Sequence, residues 1–281
     1  MKWYKVVLNQ ITPVHVGKRI WGVLSETEVF IPGWTVAGAF THLYLVSKIN
    51  STTNAEEVLN KFQVITNFYP VLESKEEKNR KGKEKNGEGE KILFPHFNNG
   101  NFYLGDYDED EFRYEYIKAD FKTAVEPILR KAKDKNLYEF EYIVPKFKWV
   151  GLVRLEESIK KELESFEEVF IGGDVKYGYG RFTFNIEELK EEEKELGEFN
   201  LSLEGEEVKI KNTKEPIRCF VEFKGAIKDK ISLGAPRLYA KLNFRSGTPT
   251  VENAYFLLPP GSKIKYKGPF SLEFGILKPT S

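Results

Sequence analysis

Apolar positions alternate with polar ones in short runs along most of the chain. Residues 2–8 alternate and are rich in β-formers, which predicts a strand. Residues 28–31 predict a second short strand, stopped by Pro32 and Gly33. Thr35 can cap a helix over 36–48, and Gly38, among small and apolar residues, predicts close packing of that helix on a sheet. Residues 138–144 and 147–153 read as strands on either side of Pro145. Residues 156–168 carry Ile159, Leu163 and Phe166 on one side, the spacing of an amphipathic helix. Residues 179–184 form the next strand. Residues 187–198 are mostly Glu and Lys and predict a linker. Beyond it, strand-like runs recur at 200–210, 217–224, 238–244, 253–258 and 263–267. The pattern is that of an α+β chain in two parts, 1–190 and a smaller, mostly β part at 199–281. Residues 73–91, nearly all Lys, Glu, Asn and Gly, read as a mobile insertion in the first part.

Composition narrows the classes. A chain of 281 residues suits two compact units, and 41% hydrophobic residues suffice for their cores. No apolar run approaches the roughly 20 residues of a membrane span, and the start is too short and strand-like for a signal peptide. The expectation is a cytoplasmic protein without membrane partners. A single cysteine, Cys219, excludes an intrachain disulfide and a thiolate zinc cluster, which leaves it a packing role. Charged residues reach 31%, and glutamine occurs only at Gln10 and Gln63. That balance resembles a thermophile's.

Charge is uneven along the chain. The formal net charge is zero, yet residues 201–281 hold 14 Lys/Arg and 8 Asp/Glu, a net of +6 that leaves −6 for residues 1–200. A free-standing non-specific nucleic-acid binder is usually basic overall. A subunit of a larger assembly needs only a basic groove.

The segment Ile171-Gly172-Gly173-Asp174-Val175-Lys176-Tyr177-Gly178-Tyr179-Gly180-Arg181 places four glycines within nine residues, with two basic side chains among them. Glycines allow positive φ and close approach of backbone to a ligand. Amides beside Lys176 and Arg181 suit a phosphate chain, and Tyr177 and Tyr179 can stack on bases. A tight turn before a strand, with both tyrosines packed inside, fits the spacing equally well. The Gly-Lys-Ser/Thr ending of a mononucleotide loop is missing, and a strand rather than a helix follows, so nucleotide-binding fingerprints fail.

Catalytic chemistry has few carriers. Metal-free RNA cleavage needs a base and an acid, and His15, beside Gly17 and Lys18, is the best candidate. Its alternative is a structural histidine bonded to neighbouring backbone under the glycine-rich segment. His42 reads as a helix-face residue, and His96 has no evident partner. Asp106, Asp108 and Asp110 could attract Mg²⁺, but the spacing lacks the glycine and terminal glutamate of a calcium loop, and a solvated loop is the simpler reading. No cofactor or metal site is expected.

Four pieces in order carry a family resemblance. The segment Gly172 to Arg181 resembles the glycine-rich loop of the RAMP superfamily, the RNA-gripping subunits of type III CRISPR interference complexes. Thr12-Pro13-Val14-His15-Val16-Gly17 resembles the opening motif of those subunits. Phe30-Ile31-Pro32-Gly33 and the residues to Phe40 resemble their helix entry. Thr123-Ala124-Val125-Glu126 with residues 137–141 resembles a turn and strand of the same family. The segment 254–262 resembles a glycine-serine stretch late in the larger, two-domain members. Trp34 and Ala37 depart from the small polar and basic residues usual at the helix entry, which removes a phosphate anchor there.

The resemblance implies a ferredoxin-like (RRM-like) βαββαβ domain with insertions and a second, smaller, mostly β ferredoxin-like domain. It implies a non-catalytic crRNA-binding subunit that caps one end of the crRNA, with sibling RAMP subunits and a large subunit as partners. The alternative is a stand-alone endoribonuclease that matures pre-crRNA through His15. The expected RNA contacts are Gly172, Gly173, Lys176, Tyr177, Gly178, Tyr179, Gly180 and Arg181, bordered by His15, Lys18 and Arg19. Arg237, Lys241 and Arg245, four apart on a strand, would share one face and form a second basic surface.

Overall fold

The computed structural model describes residues 1–48, 54–72, 90–126, 131–204, 206–227, 229–243, 248 and 250–280. Most of the charged insertion, residues 73–89, lies outside them, as do Arg245 and the side chain of Lys241.

The first sheet has six strands: β1 (Lys2–Gln10), β4 (Tyr69–Leu72), β5 (Lys91–Ile92), β11 (Lys148–Leu155), β12 (Glu168–Phe170) and β13 (Arg181–Glu188). Their spatial order is β12-β13-β1-β11-β4-β5. The alternation read at residues 2–8 is the pleat of the central strand, with Tyr4, Val6 and Leu8 fully buried. β1 runs antiparallel to both β11 and β13. β4 shows no alternation because all four of its residues are buried. Helix α1 (Gly33–Ser47) lies between β1 and β4 in the chain, and the helix Glu157–Leu163 follows β11. Phe40 of α1 packs on Phe184 of β13, ring centroids 5.6 Å apart, and Ser47 donates to Glu162 of the second helix.

Two expectations about α1 are corrected. It starts at Gly33, with Pro32 rather than Thr35 at its N-cap and no side-chain cap from its own residue. The Gly33 amide is satisfied from a distance, by Asn67 Oδ1 at 3.0 Å, which sequence spacing cannot reveal. The glycine that permits close packing is also Gly33: a Cβ there would meet Gly275 N and Thr66 O at 2.8 Å, whereas one at Gly38 would meet nothing within 4 Å.

A second, four-stranded sheet holds β2 (Gly17–Trp21), β3 (Leu24–Thr27), β9 (Ile117–Val125) and β10 (Ala132–Ile143), in the order β2-β3-β10-β9. β10 is parallel to β3 and antiparallel to β9. Thr123, Ala124 and Val125, expected at a turn, lie within β9.

The third sheet takes its strands from the last third of the chain: β14 (Leu201–Glu204), β15 (Glu207–Ile210), β16 (Phe220–Glu222), β18 (Arg237–Asn243), β19 (Thr250–Leu258), β21 (Phe270–Glu273) and β22 (Ile276–Pro279). The order is β14-β15-β21-β22-β16-β19-β18. Smaller pairings join β6 (Pro95–Asn98), β7 (Asn101–Leu104) and β8 (Tyr107–Asp108), and β17 (Ile231–Leu233) with β20 (Lys263–Ile264). The expected linker at 187–198 is strand to Glu188 and then the helix Glu192–Glu198, whose Leu196 is buried. One contiguous cluster of buried residues runs from Trp3 to Leu277. Phe220 of the third sheet lies 4.9 Å from Trp34 and 5.9 Å from Phe30. Cys219 is fully buried there, and burial pushes its thiol up to about 12. The architecture is α+β, dominated by strands.

Candidate functional site

The chain leaves β12 and enters β13 through the glycine-rich segment. Gly172, Val175, Lys176, Tyr177 and Gly178 are exposed, while Ile171 and Gly180 are buried. Two glycines are demanded by close approach. A Cβ at Gly172 would lie 2.2 Å from His15 O, and one at Gly180 would lie 2.0 Å from Ile171 O. Gly178 meets nothing within 4 Å and is needed only for its φ of +88°. The amides of Gly173, Gly178 and Gly180 donate to His15 O (2.9 Å), Val175 O (3.1 Å) and Pro13 O (2.7 Å). Three of the four glycine amides expected to face a ligand are therefore engaged within the protein, tying the loop to residues 13–15 and to itself. What the segment offers to solvent is side chains, chiefly Lys176 and the Tyr177 ring, 75% exposed.

The loop rests on one face of the four-stranded sheet. Lys122 of β9 forms an ion pair with Asp174 Oδ2 at 2.7 Å. Its ammonium lies 3.7 Å from the Phe140 ring centroid, 4.1 Å from Tyr179 and 5.6 Å from Tyr177. Tyr179 donates to Asp120 Oδ2 at 3.1 Å, and Tyr142 to the other oxygen of the same carboxylate at 3.3 Å. Tyr177 and Tyr179, paired in the sequence reading, thus differ: Tyr179 is packed and hydrogen-bonded, and Tyr177 projects. Arg181 makes a bidentate pair with Glu168 through Nε and Nη2, so its charge is balanced at the base of the loop.

His15 lies beneath this segment, 6% exposed. Its ring is 4.2 Å from that of Phe140. Nδ1 donates to Glu141 O at 2.7 Å, because a carbonyl only accepts. Nε2 then faces the Ser25 hydroxyl at 3.4 Å. Burial pushes its pKa below the ordinary value against the opposing pull of that carbonyl. The structural alternative weighed for this histidine describes its surroundings.

Glu141 and Phe140 point to opposite faces of β10, and the opposite face carries a second charged cluster. Glu26, 7% exposed, pairs with Lys18 (2.9 Å), Arg113 (2.9 Å) and Arg19. Lys18 also reaches Glu109 (2.7 Å), and Arg113 reaches Glu109 (3.1 Å) and Glu141 (3.0 Å). Burial alone would raise the Glu26 carboxyl, but the hydrogen bonds from Arg19 and Lys18 and the charges around it hold it at about 2. Three cations meet three carboxylates. The structure thus places Lys18 inside an ion network, and Arg19 at its margin, with its guanidinium 4.5 Å above the Trp21 ring.

Arg237 lies apart from the glycine-rich loop's own contacts. It lines a cleft with Lys18, Glu28, Phe97, Phe102, Glu109 and Tyr239. Burial pushes the Glu28 carboxyl up to about 7. Arg237 and Tyr239 share one face of β18 by register. The acidic run read as a solvated loop is built into structure instead. Asp108 caps the helix Glu109–Tyr116 by accepting from Glu111 N at 2.8 Å, and Glu109 joins the ion network. His96 has a partner after all, stacking on Tyr103 with centroids 5.2 Å apart, and His42 is exposed on α1. Sequence reasoning missed Lys122, Asp120 and Arg113. Each acts on residues far away in the chain, and no local motif marks them.

No family model matches the sequence, and no characterised protein matches it by sequence alone. Solved structures do match its fold. A chain of the type III-B Cmr-beta assembly bound to cognate target RNA and AMPPnP aligns with a TM-score of 0.60 and 13% identity, covering 94% of this chain and 86% of the other. A chain of the same assembly bound to cognate target RNA aligns with a TM-score of 0.56 and 12% identity, over the same shares. Among the described residues no helix is long and apolar enough to cross a membrane. Over nearly all of its length, then, this chain carries the fold of a chain of the type III-B Cmr-beta assembly, a type III CRISPR-Cas complex.

Proposed function

We propose that this chain is a RAMP-type, RNA-binding structural subunit of a type III CRISPR effector complex, and that it caps one end of the crRNA beside sibling subunits and a large subunit. The observation that carries the reading is the exposed tip Lys176–Tyr177, raised on a loop whose glycines and tyrosine are otherwise anchored, within a fold shared with chains of an RNA-bound assembly. A cation and an unpacked ring side by side suit a single strand, the one meeting phosphate and the other a base. The first sheet supports a ferredoxin-like core. Its inner strands run β13-β1-β11-β4, with a helix between the first and second and between the third and fourth in chain order. Residues 1–190 and 199–281 are then two lobes of one subunit, the second carrying Arg237.

The test is binding of a labelled crRNA-repeat RNA across a salt series. Lys176→Ala is expected to reduce the log–log salt slope by about one, and Tyr177→Ala to cost about 1–3 kcal/mol of affinity. Unchanged affinity and slope in both would leave a scaffold that contacts only proteins. Incubating the same RNA with the parent and with His15→Ala tests the endoribonuclease alternative. Cleavage present in the parent and lost in the variant would replace the binding-only reading. The geometry speaks against that outcome, since His15 is enclosed and both ring nitrogens face protein groups.

A further inference from the structure

Asp174 holds a left-handed conformation, φ +56°, and opens the short 3-10 turn Val175–Tyr177 that carries the exposed cation and ring. The turn closes on it, with Tyr177 N donating to Asp174 O at 2.8 Å. A carboxylate next to a phosphate-binding tip is an electrostatic liability unless it is neutralised. Lys122 neutralises it from 52 residues away. Side chains of Lys122 and Asp174 are 19% and 25% exposed, so their attraction is less screened than that of a surface pair. The ammonium also sits against Phe140 and Tyr179, a cation held by aromatic faces. Two residues earlier on the same face of β9, Asp120 holds Tyr179. β9 therefore grips the loop at two points.

We propose that Lys122 is the positioning residue of this loop: by pairing with Asp174 and lodging among the rings of Phe140 and Tyr179, it fixes the outward presentation of Lys176 and Tyr177. The inference rests on the RNA-binding reading above and adds to it a lysine that acts without contacting RNA.

Lys122→Met, Lys122→Arg and Asp174→Asn decide it. Asparagine tolerates the left-handed region as well as aspartate, so Asp174→Asn removes charge without straining the backbone. A labelled single-stranded RNA is titrated across a salt series. Separately, amide exchange of residues 172–180 is followed in RNA-free protein. Lys122→Met is expected to weaken binding about tenfold with the salt slope unchanged, and to speed exchange at Gly173 and Gly180. Asp174→Asn is expected to weaken binding several-fold, since it breaks the same pair, and Lys122→Arg to stay within about threefold of the parent. Tighter binding by Asp174→Asn, with a slope lowered by about one in Lys122→Met, would make Lys122 a direct phosphate ligand and overturn the proposal. So would unchanged exchange in Lys122→Met. If the parent binds no RNA, the RNA-binding reading fails, while the exchange measurement still decides whether Lys122 holds the loop.

Discussion

The two faces of the four-stranded sheet use charge in opposite ways. One face holds Glu26, Glu109 and Glu141 against Lys18, Arg19 and Arg113, with Glu26 and Glu109 each shared between cations and Glu26, at the centre, only 7% exposed. The other face pairs Lys122 with Asp174, leaning on rings and partly exposed. The first arrangement has no charge left over for a ligand. The second secures a loop whose tip remains available. Basic residues near a glycine-rich motif are thus not equivalent. Lys18 and Arg19 are nearer to His15 in sequence than Lys122 is, yet they serve the closed network.

The contrast is broken first where burial is deepest. Glu26→Gln would leave Lys18, Arg19 and Arg113 with two carboxylates, and a buried pair missing one partner typically costs about 3–5 kcal/mol. Urea unfolding at neutral pH checks this. Because the fold holds the Glu26 carboxyl at about 2 against an ordinary 4.5, its contribution is present above pH 4.5 and lost as pH falls toward 2. The parent should lose stability across that window more steeply than Glu26→Gln. Loop substitutions should cost less and should divide by geometry. Gly180→Ala forces a Cβ to within 2.0 Å of Ile171 O and is expected to cost about 3 kcal/mol. Gly178→Ala meets nothing and should cost only the strain of its φ, about 1–2 kcal/mol. Equal costs in the same unfolding assay would mean that Gly180 does not approach Ile171 O across the base of the loop. The smallest effect is expected at Glu28, beside the network but outside its pairing. Its carboxyl is raised to about 7 by burial, so the neutral form suits the fold, and stability should rise as pH falls from 7 toward 4.5. Glu28→Gln should flatten that rise and add about 1 kcal/mol at pH 8, the full shift being discounted for solvent at the cleft mouth.

Much of this architecture was legible in the sequence, and the gaps have physical causes. The alternation at residues 2–8 marks a real strand because Tyr4, Val6 and Leu8 face a core, while the runs at 138–144 and 147–153 fall in β10 and β11, the latter buried without a break from Trp149 to Val153. Strands β21 and β22 went unread, since four residues around Phe274-Gly275 leave too little alternation to detect. The acidic run at 106–111 looked solvated because charge pattern alone does not distinguish a helix cap and an ion network from a loop. The glycine-rich segment admits two readings in sequence, an amide-lined cradle and a tight turn with both tyrosines inside, and spacing alone does not choose between them. Which carbonyls lie under a loop is a tertiary fact, and here His15 O and Pro13 O take amide hydrogen bonds.

Asn67 and its neighbours tie the start of α1 to the third sheet. Asn67 Oδ1 serves the first turn of α1, while its Nδ2 reaches Arg218 O at 3.3 Å. Phe274 N and Gly275 N donate to Gln63 O and Ile65 O. The seam is therefore stitched by main chain from both sides, at the place where α1 begins. A gene fragment ending before residue 199 would encode a chain lacking one wall of its own interior, and an exchange of tails between relatives would have to carry the matching 63–67 stretch along with it.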